Sequence, residues 1–390
     1  NTLRSFTADE ITDGTLLSYV NESFASSLPL DIQGSAAAAY SLRSLGASQA
    51  TITPTGDTVA RDDGKYVCQV RRPSDDALKS FTADEVTDGT LLSFVTEEVT
   101  LLDATDFSSS LPSPLSSNTA GVLSNTFGQS IGGSDNVVLI ERTSASTSGV
   151  PLRYLGRPNI FEGDTATLTI EVFLPNSNVS TGLKLLTSNL SSGNNQNVQL
   201  TKGSWQTISV TGTMNADSAF NNWRVLGWID ASDSSVDAVG EKVYIRKYEL
   251  KVKSSDGFVK AWYDQSGNSK HAVQATAANQ PKIVSASALE VDGQSKPAIK
   301  FTAADATFLQ AGEATSGDFV TQPYTAIFKA NAEKASAQQQ IIDGDVFAPS
   351  FIAIESDGDI AILNSSTTGM PTDADLDSLD SDFVFTAIIN

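Results

Sequence analysis

The 390-residue chain contains one cysteine, Cys68, and one histidine, His271. No intrachain disulfide can form. A zinc site needs several His or Cys ligands, and a Ser-His-Asp triad would have to be built on His271 alone. Basic charge is scarce: 25 Lys and Arg face 46 Asp and Glu, giving a net charge of −21, and no basic run occurs. That balance argues against binding nucleic acid along its phosphate backbone and fits a soluble surface that repels its own kind. Nowhere is there an apolar run of about 18 residues, so no helical membrane insertion is expected, and the first residues lack a charged-then-apolar leader pattern. Any chemistry would rest on carboxylates.

Against these absences stands a repetition. Residues 4–20 read "RSFTADEITDGTLLSYV" and residues 79–95 read "KSFTADEVTDGTLLSFV". Three positions differ (Arg4/Lys79, Ile11/Val86, Tyr19/Phe94), each keeping size and character. Thr82 to Glu85 has capping-box spacing, and Thr7 to Glu10 repeats it. Thr87-Asp88-Gly89 punctuates, and Leu91, Leu92 and Val95 form one apolar face of a further short turn of helix. The passage predicts two short helical turns packed on a larger body, with a structural role. Extended backward, Asn1-Thr2-Leu3 aligns with Asp76-Ala77-Leu78, so the chain is expected to begin inside a copy of a module. A solenoid is the competing reading, but no third copy follows residue 154.

Elsewhere the texture is loop-rich and strand-rich. "SAAAAYSLRSLG" (35–46) predicts a short helix with Tyr40, Leu42 and Leu45 inward. "KYVCQVRR" predicts a strand in which Tyr66, Cys68 and Val70 alternate against Val67, Gln69 and Arg71, with Cys68 a small core hydrophobe. The Ser/Pro/Asn-rich stretch 108–121 marks a boundary. Beyond it, "TATLTIEVF" turns Leu168, Ile170 and Val172 to one face, and "SWQTISVTGT" repeats the rhythm with Ile208 and Val210. In "KVYIRKYELKVK" the apolar set passes from Val243 and Ile245 to Tyr248, Leu250 and Val252, which predicts a bulge near Arg246–Lys247. "SFIAIESDGDIAIL" reads as a hairpin about Asp357-Gly358. The apolar ending "DFVFTAIIN" has no turn or polar tail, so the last module is expected to be incomplete.

Five stretches carry a family likeness: "AAAAYSLRSL", "YVCQVRRPSDD", "FTADEVTDGTLLSFV", "FVKAWYDQSGNSKHAVQ" and "NQPKIV". In this order they resemble the concanavalin A-like (laminin-G-like) lectin module related to the N-terminal domain of fungal α-L-arabinofuranosidase B. Modules of this type are frequent in bacteriophage virion and tail-fibre proteins. Tyr263-Asp264-Gln265-Ser266-Gly267-Asn268 is the most specific piece. In relatives the "TLLSFV" helix leads almost directly to the "WYDQSGN" strand. Here about 150 residues intervene, and they resemble a carbohydrate-binding-module (CBM) jelly roll. The fold expected is all-β: two antiparallel β-sandwiches with few short helices, a concanavalin A-like jelly roll interrupted by a CBM-like one. The domains would be 1–34, the end of a preceding module plus connector; 35–107, the first part of the concanavalin A-like module; 108–255, the inserted sandwich; and 256–390, the second part. Insertion is tolerated where a guest's termini lie close together at the surface.

Candidate sites are few. Asp264 and Asn268 suit a catalytic or calcium loop, but "DQSGN" is also what a tight turn needs, with Gly267 for positive φ and side chains capping N–H groups. The turn reading is preferred. His271 reads as an ordinary polar surface residue, and Trp205 and Trp262 read as core. "FNNWRVLGWID" differs: sugar sites pair an aromatic face with amide and guanidinium groups. Trp223, Asn222, Arg224 and Trp228 offer that set, and Tyr154, beside Arg153 and Arg157, is a further candidate. Asn-x-Ser sequons at Asn21, Asn178, Asn189 and Asn364 read as chance. No catalytic or metal residues and no cofactor are assigned, structural calcium being unreadable.

The resemblance implies a virion-surface, extracellular fibre, tail or head-surface protein binding host-surface polysaccharide. Other virion proteins would be its partners. A homo-oligomer is expected, a trimer being usual for fibres, though no heptad stretch shows one. The alternatives are a glycoside hydrolase acting on that polysaccharide, whose carboxylate pair spacing alone does not reveal, and a purely architectural shaft or capsid decoration.

Overall fold

The computed structural model describes residues 38–44, 49–58, 61–118, 123–145, 150–154, 160–187, 196–215 and 223–311, and after these only the strands at 324–330, 339–342, 351–354, 359–363, 370–375 and 383–389. The described chain is all-β and antiparallel, with two short α-helices. Its strands run β1 Tyr66–Arg72, β2 Ala77–Thr82, β3 Glu98–Ala104, β4 Leu115–Asn118, β5 Leu123–Ile131, β6 Ser134–Arg142, β7 Val150–Tyr154, β8 Thr165–Phe173 and β9 Gly182–Thr187. There follow β10 Gln196–Gln199, β11 Trp205–Thr213, β12 Trp223–Ile229, β13 Ser235–Val236, β14 Lys242–Lys253, β15 Gly257–Trp262, β16 Ala272–Val273, β17 Lys282–Ser285, β18 Ala288–Leu289 and β19 Gln310–Ala311. The last six are β20 Tyr324–Ala330, β21 Gln339–Ile342, β22 Phe351–Ile354, β23 Asp359–Leu363, β24 Met370–Asp375 and β25 Phe383–Ile389. The helices are α1 Ala83–Thr87 and α2 Thr90–Val95. Among the described residues no helix is long and apolar enough to cross a membrane.

Two compact units divide the chain. The first takes the described residues up to Arg71, then Leu78–Leu92 and those from Gly257 onward; the second takes Arg72–Ala77 and Ser93–Asp256. Although the Ser-rich boundary was expected at 108, the second unit already holds β3. That strand pairs with β14 from Ala104↔Tyr248 to Glu98↔Lys253.

In the first unit β1 lies between β15 and β2, in the order β18-β17-β15-β1-β2, with β16 on β15 and β19 on β16. A strand with neighbours on both sides and cover on both faces cannot alternate, and β1 does not: all its residues except Arg71 are buried. The expected inward/outward pattern is corrected accordingly. Cys68 is fully buried, as its strand position predicts. After β2 the capping box forms as spaced. The Glu85 N–H donates to Thr82 Oγ1 (3.3 Å), and the Thr82 N–H donates to Glu85 Oε2 (2.9 Å). Glu85 also takes a forked pair from one Arg61 nitrogen, at 2.8 and 3.0 Å. Phe81, Val86, Leu91 and Val95 are buried, so the repeated passage is a docked structural element. The corresponding residues 4–20 lie outside the described residues.

The short helix expected at 35–46 is absent over 38–44. Its backbone groups bond to the "DQSGN" turn instead of to each other, as set out below, and that competition removes the i→i−4 ladder. Near the far end β22 and β23 form the expected hairpin, Phe351 opposite Leu363 and Ile354 opposite Ile360. Its turn residues lie outside the description.

The second unit is a sandwich of two sheets. One runs β10-β9-β12-β7-β4 with β13 on β12, and the other β11-β8-β14-β6-β5 with β3 on β14. Leu168, Ile170 and Val172 of β8, Ile208 and Val210 of β11, and Val243, Ile245, Tyr248, Leu250 and Val252 of β14 meet Leu152, Leu183, Leu185, Val225 and Trp228 of the opposing sheet in one core. The expected bulge is present: β14 loses register with β8 between Ile245 and Lys247. Arg246, the extra residue, turns outward, its Nε donating to Glu171 Oε2 (2.6 Å).

Asp164 is buried where this unit ends. Its Oδ1 accepts from the Ser255 N–H (2.8 Å) and hydroxyl (3.2 Å), and its Oδ2 from the Phe161 N–H (2.9 Å). Desolvation outweighs these bonds and pushes the carboxyl up to about 6. An acid raised in the folded state is most stabilising while protonated in both states. Stability from this group should therefore decline between the ordinary aspartate value and pH 6, by about 3 kcal/mol in all. Urea titrations from pH 4 to pH 7 should show wild type losing that much relative to Asp164→Asn, whose side chain cannot ionise; parallel profiles would contradict it.

Candidate functional site

The motif 263–268 is assembled around Asp264, which is fully buried. Its Oδ1 accepts from the N–H groups of Ala39 and Ser266, both 2.9 Å. Its Oδ2 accepts from Ser266 Oγ (2.9 Å) and the Lys270 N–H (3.0 Å). Gln265, also buried, donates through Nε2 to the carbonyls of Ser41 (2.7 Å) and Arg43 (3.2 Å), and its N–H reaches Ala39 O (2.8 Å). Gly267 takes φ +98, the left-handed conformation the turn requires. Asn268 Nδ2 and N–H both reach Ser266 Oγ, and the Tyr263 hydroxyl shares a 2.8 Å bond with Ser80. With its lone pairs committed to the chain, Asp264 has none to offer a ligand. Among the described residues no cluster of His, Cys, Asp and Glu could hold a metal ion.

His271 departs from its expected surface role. It is half-buried, stands edge-on to Tyr263 with centroids 5.1 Å apart, and accepts the Asp264 N–H at Nδ1 (3.1 Å). Burial holds it below the usual histidine range, and an unprotonated Nδ1 is what the bond needs.

The aromatic candidates lie in the second unit. Trp228 is 1% exposed, Nε1 donating to Lys242 O (3.1 Å), with the Arg142 guanidinium 5.3 Å from the ring centroid. Counting by twos from buried Val225 would set Trp228 on the other face. The register shift between Val225 and Gly227 turns it inward and removes it from the candidates for sugar contact. Tyr154 is half-buried at the margin of the core, where burial raises its hydroxyl pKa. It sits opposite Leu115, and neighbouring Arg153 donates through Nε to Ser116 Oγ (3.1 Å). Backbone register sets Arg224 opposite Arg153 and Trp223 opposite Thr187. Two candidate groups about 70 residues apart in sequence therefore meet on adjacent strands. Asn222 lies outside the described residues, as do the side chains of Trp223 and Arg224.

One cluster was missed. Trp205, expected in the core, is half-buried on the outward side of β11. Its Nε1 donates to Ile131 O (3.2 Å), its ring meets Phe173 at 5.6 Å, and Arg246 lies 4.6 Å over it. The signal was in the alternation, because Trp205 shares its parity with Thr207 and Ser209 and not with Ile208. Gly132 packs here; a Cβ would stand 2.9 Å from Trp205 Nε1. Trp262 is half-buried too, with Tyr40 at 5.6 Å. Of the sequons, Asn178 is buried, its Nδ2 donating to Lys242 O (2.7 Å) and Ser180 Oγ (3.2 Å), which leaves no acceptor for a glycan. Asn21, Asn189 and Asn364 lie outside the description.

No family model matches the chain, and no curated protein does. Among solved structures, the xylan-binding CBM22-1 domain of Paenibacillus barcinonensis Xyn10C is similar over 40% of this chain and 96% of its own, at 8% identity and TM-score 0.29. The tandem CBM22-1-CBM22-2 domain of the same protein overlaps 75% of this chain and 84% of its own, at 9% identity and TM-score 0.30. The tripod from the baseplate of bacteriophage Tuc2009 overlaps 73% of this chain and 84% of its own, at 10% identity and TM-score 0.15. At such TM-scores these overlaps add nothing to the strand topology itself.

Two substitutions separate packing from binding. Asp264→Asn brings an amide against the Lys270 N–H and should cost about 1–3 kcal/mol in urea unfolding; an unchanged midpoint would refute the hub. Trp228→Ala should cost about 3–5 kcal/mol, as for a buried tryptophan. Binding loss at full stability would mean that its ring faces solvent.

Proposed function

We propose that the protein is a structural and adhesion component of a virion, a fibre, tail or head-surface protein. On this reading it binds host-surface polysaccharide through the second unit, and the first unit is a lectin-like module into which the second is inserted. The observation that carries the binding role is the register of β12 against β7. Alternation from the buried Leu152–Val225 pair puts positions 154 and 223 on one side of the sheet and 153 and 224 on the other. The surface proposed is therefore the rim where these strands end, with rings from Tyr154 and Trp223 and, around them, donors from Arg153, Arg224 and Asn222. Aromatic rings meet the C–H side of a sugar, and guanidinium and amide groups meet its oxygens. A surface of this kind holds each repeat weakly, and affinity grows with the number of copies engaged. The virion setting rests on the likeness of the motifs around Tyr263–Asn268, and the acidic, self-repelling composition is compatible with it.

The test is affinity electrophoresis and a glycan array with the full chain. Trp223→Ala and Tyr154→Ala should each weaken retention about tenfold or more, with the unfolding midpoint of Trp223→Ala unchanged. Retention equal to wild type in both variants would overturn the site, and no retention of wild type on any glycan would overturn the function in favour of an architectural role. Release of reducing sugar by the same sample would make the protein a hydrolase.

A further inference from the structure

We propose that β11 is a self-association edge, joining two copies of the chain antiparallel through their β11 strands. The proposal is independent of sugar binding. Among the described residues six strands of the second unit are paired on one side only, and five of them are blunted; β13 has two residues, and β3 carries Glu98 and Asp103 and shifts register against β14 between Leu250 and Lys251. At one end of its sheet, β5 loses register with β6 twice, between Thr126 and Gln129 and between Gln129 and Ile131. The ends of the other sheet, β4 and β10, are four residues each. Bulges and short length are the usual protections of an exposed edge, along with charge and proline.

None of these protects β11. It is nine residues long and pairs with β8 at nine successive positions without a shift, from Trp205↔Phe173 to Thr213↔Thr165. Among the described residues it pairs with β8 alone. From Gly203 to Ala216 there is no charged residue and no proline.

Self-complementarity selects the occupant, and charge restricts where it can dock. Two copies each carrying −21 repel over most of their surface, so they can approach only along an uncharged strip. Strand β11 is such a strip, and it is complementary to itself. A two-fold axis through Ser209 sets Trp205 opposite Thr213, Thr207 opposite Thr211 and Ile208 opposite Val210. The outward side already carries a hydroxyl ladder, Thr167 with Thr211 and Thr169 with Ser209, both 2.9 Å. The pairing continues that ladder into the second copy, and cross-strand hydroxyl pairs of this kind favour the register. An interface of this symmetry closes as a dimer.

The experiment is sedimentation of the full chain across a dilution series, with two variants. Wild type should dimerise. Ser209→Lys, which sets two ammonium groups opposite each other on the axis while leaving an exposed position folded, should weaken association roughly tenfold or more. Ser209→Cys should form an intermolecular disulfide under mild oxidation, Cys68 being buried, whereas Ser124→Cys on β5 should not. A wild-type chain that stays monomeric at every concentration overturns the proposal and leaves the edge to a strand of some other protein. A dimer indifferent to Ser209→Lys, or cross-linking equal at Ser124, overturns it by assigning association elsewhere.

Discussion

One extra residue, Arg246, governs the second unit. Strand β14 is twelve residues long and touches three others. β8 lies along one side from Tyr244 to Lys253; on the other side β6 serves as far as Ile245 and β3 from Tyr248 onward. The bulge falls at the exchange of neighbours. Without it, strict alternation would turn Tyr248, Leu250 and Val252 to the outside, forfeiting about 1.5–3 kcal/mol for each apolar side chain. With it, the core runs unbroken, and the displaced arginine caps Trp205 on the outer face. The same device recurs on β12, where the shift before Gly227 brings Trp228 inside. Local loss of register is how this sandwich decides which aromatic rings pack and which stay near solvent.

Buried polar groups do comparable work in both units. In the first, Asp264 and Gln265 replace the internal ladder that residues 38–44 would have needed as a helix. In the second, Glu241 accepts from the N–H groups of Val179 (2.7 Å) and Ser180 (3.2 Å), and Asn178 bridges to Lys242. Each is a side chain of a type common at functional sites, here spent on backbone groups that would otherwise be orphaned. A carboxylate with all its lone pairs engaged is structural, whatever its motif suggests.

These two habits bear on function together. The residues excluded from ligand contact, Asp264 and Trp228, are those the fold has consumed. Of the residues proposed for contact, Arg153 and Tyr154 close β7, and Trp223 and Arg224 open β12, the strand beside it.

The sequence by itself determined the antiparallel all-β class, the inward sets of β8, β11 and β14, the bulge at Arg246 and the capping box at Thr82–Glu85. All follow from side-chain periodicity or from spacings of a few residues, which neighbouring backbone geometry enforces directly. Only the tertiary structure decided that 38–44 is no helix, that β1 is buried on both faces, that His271 is an acceptor, and that Trp228 is core. Each of those depends on a partner far along the chain or on a register shift whose cause lies in the opposing strand. Short-range pattern carries no information about which distant group will satisfy a given N–H or cover a given ring.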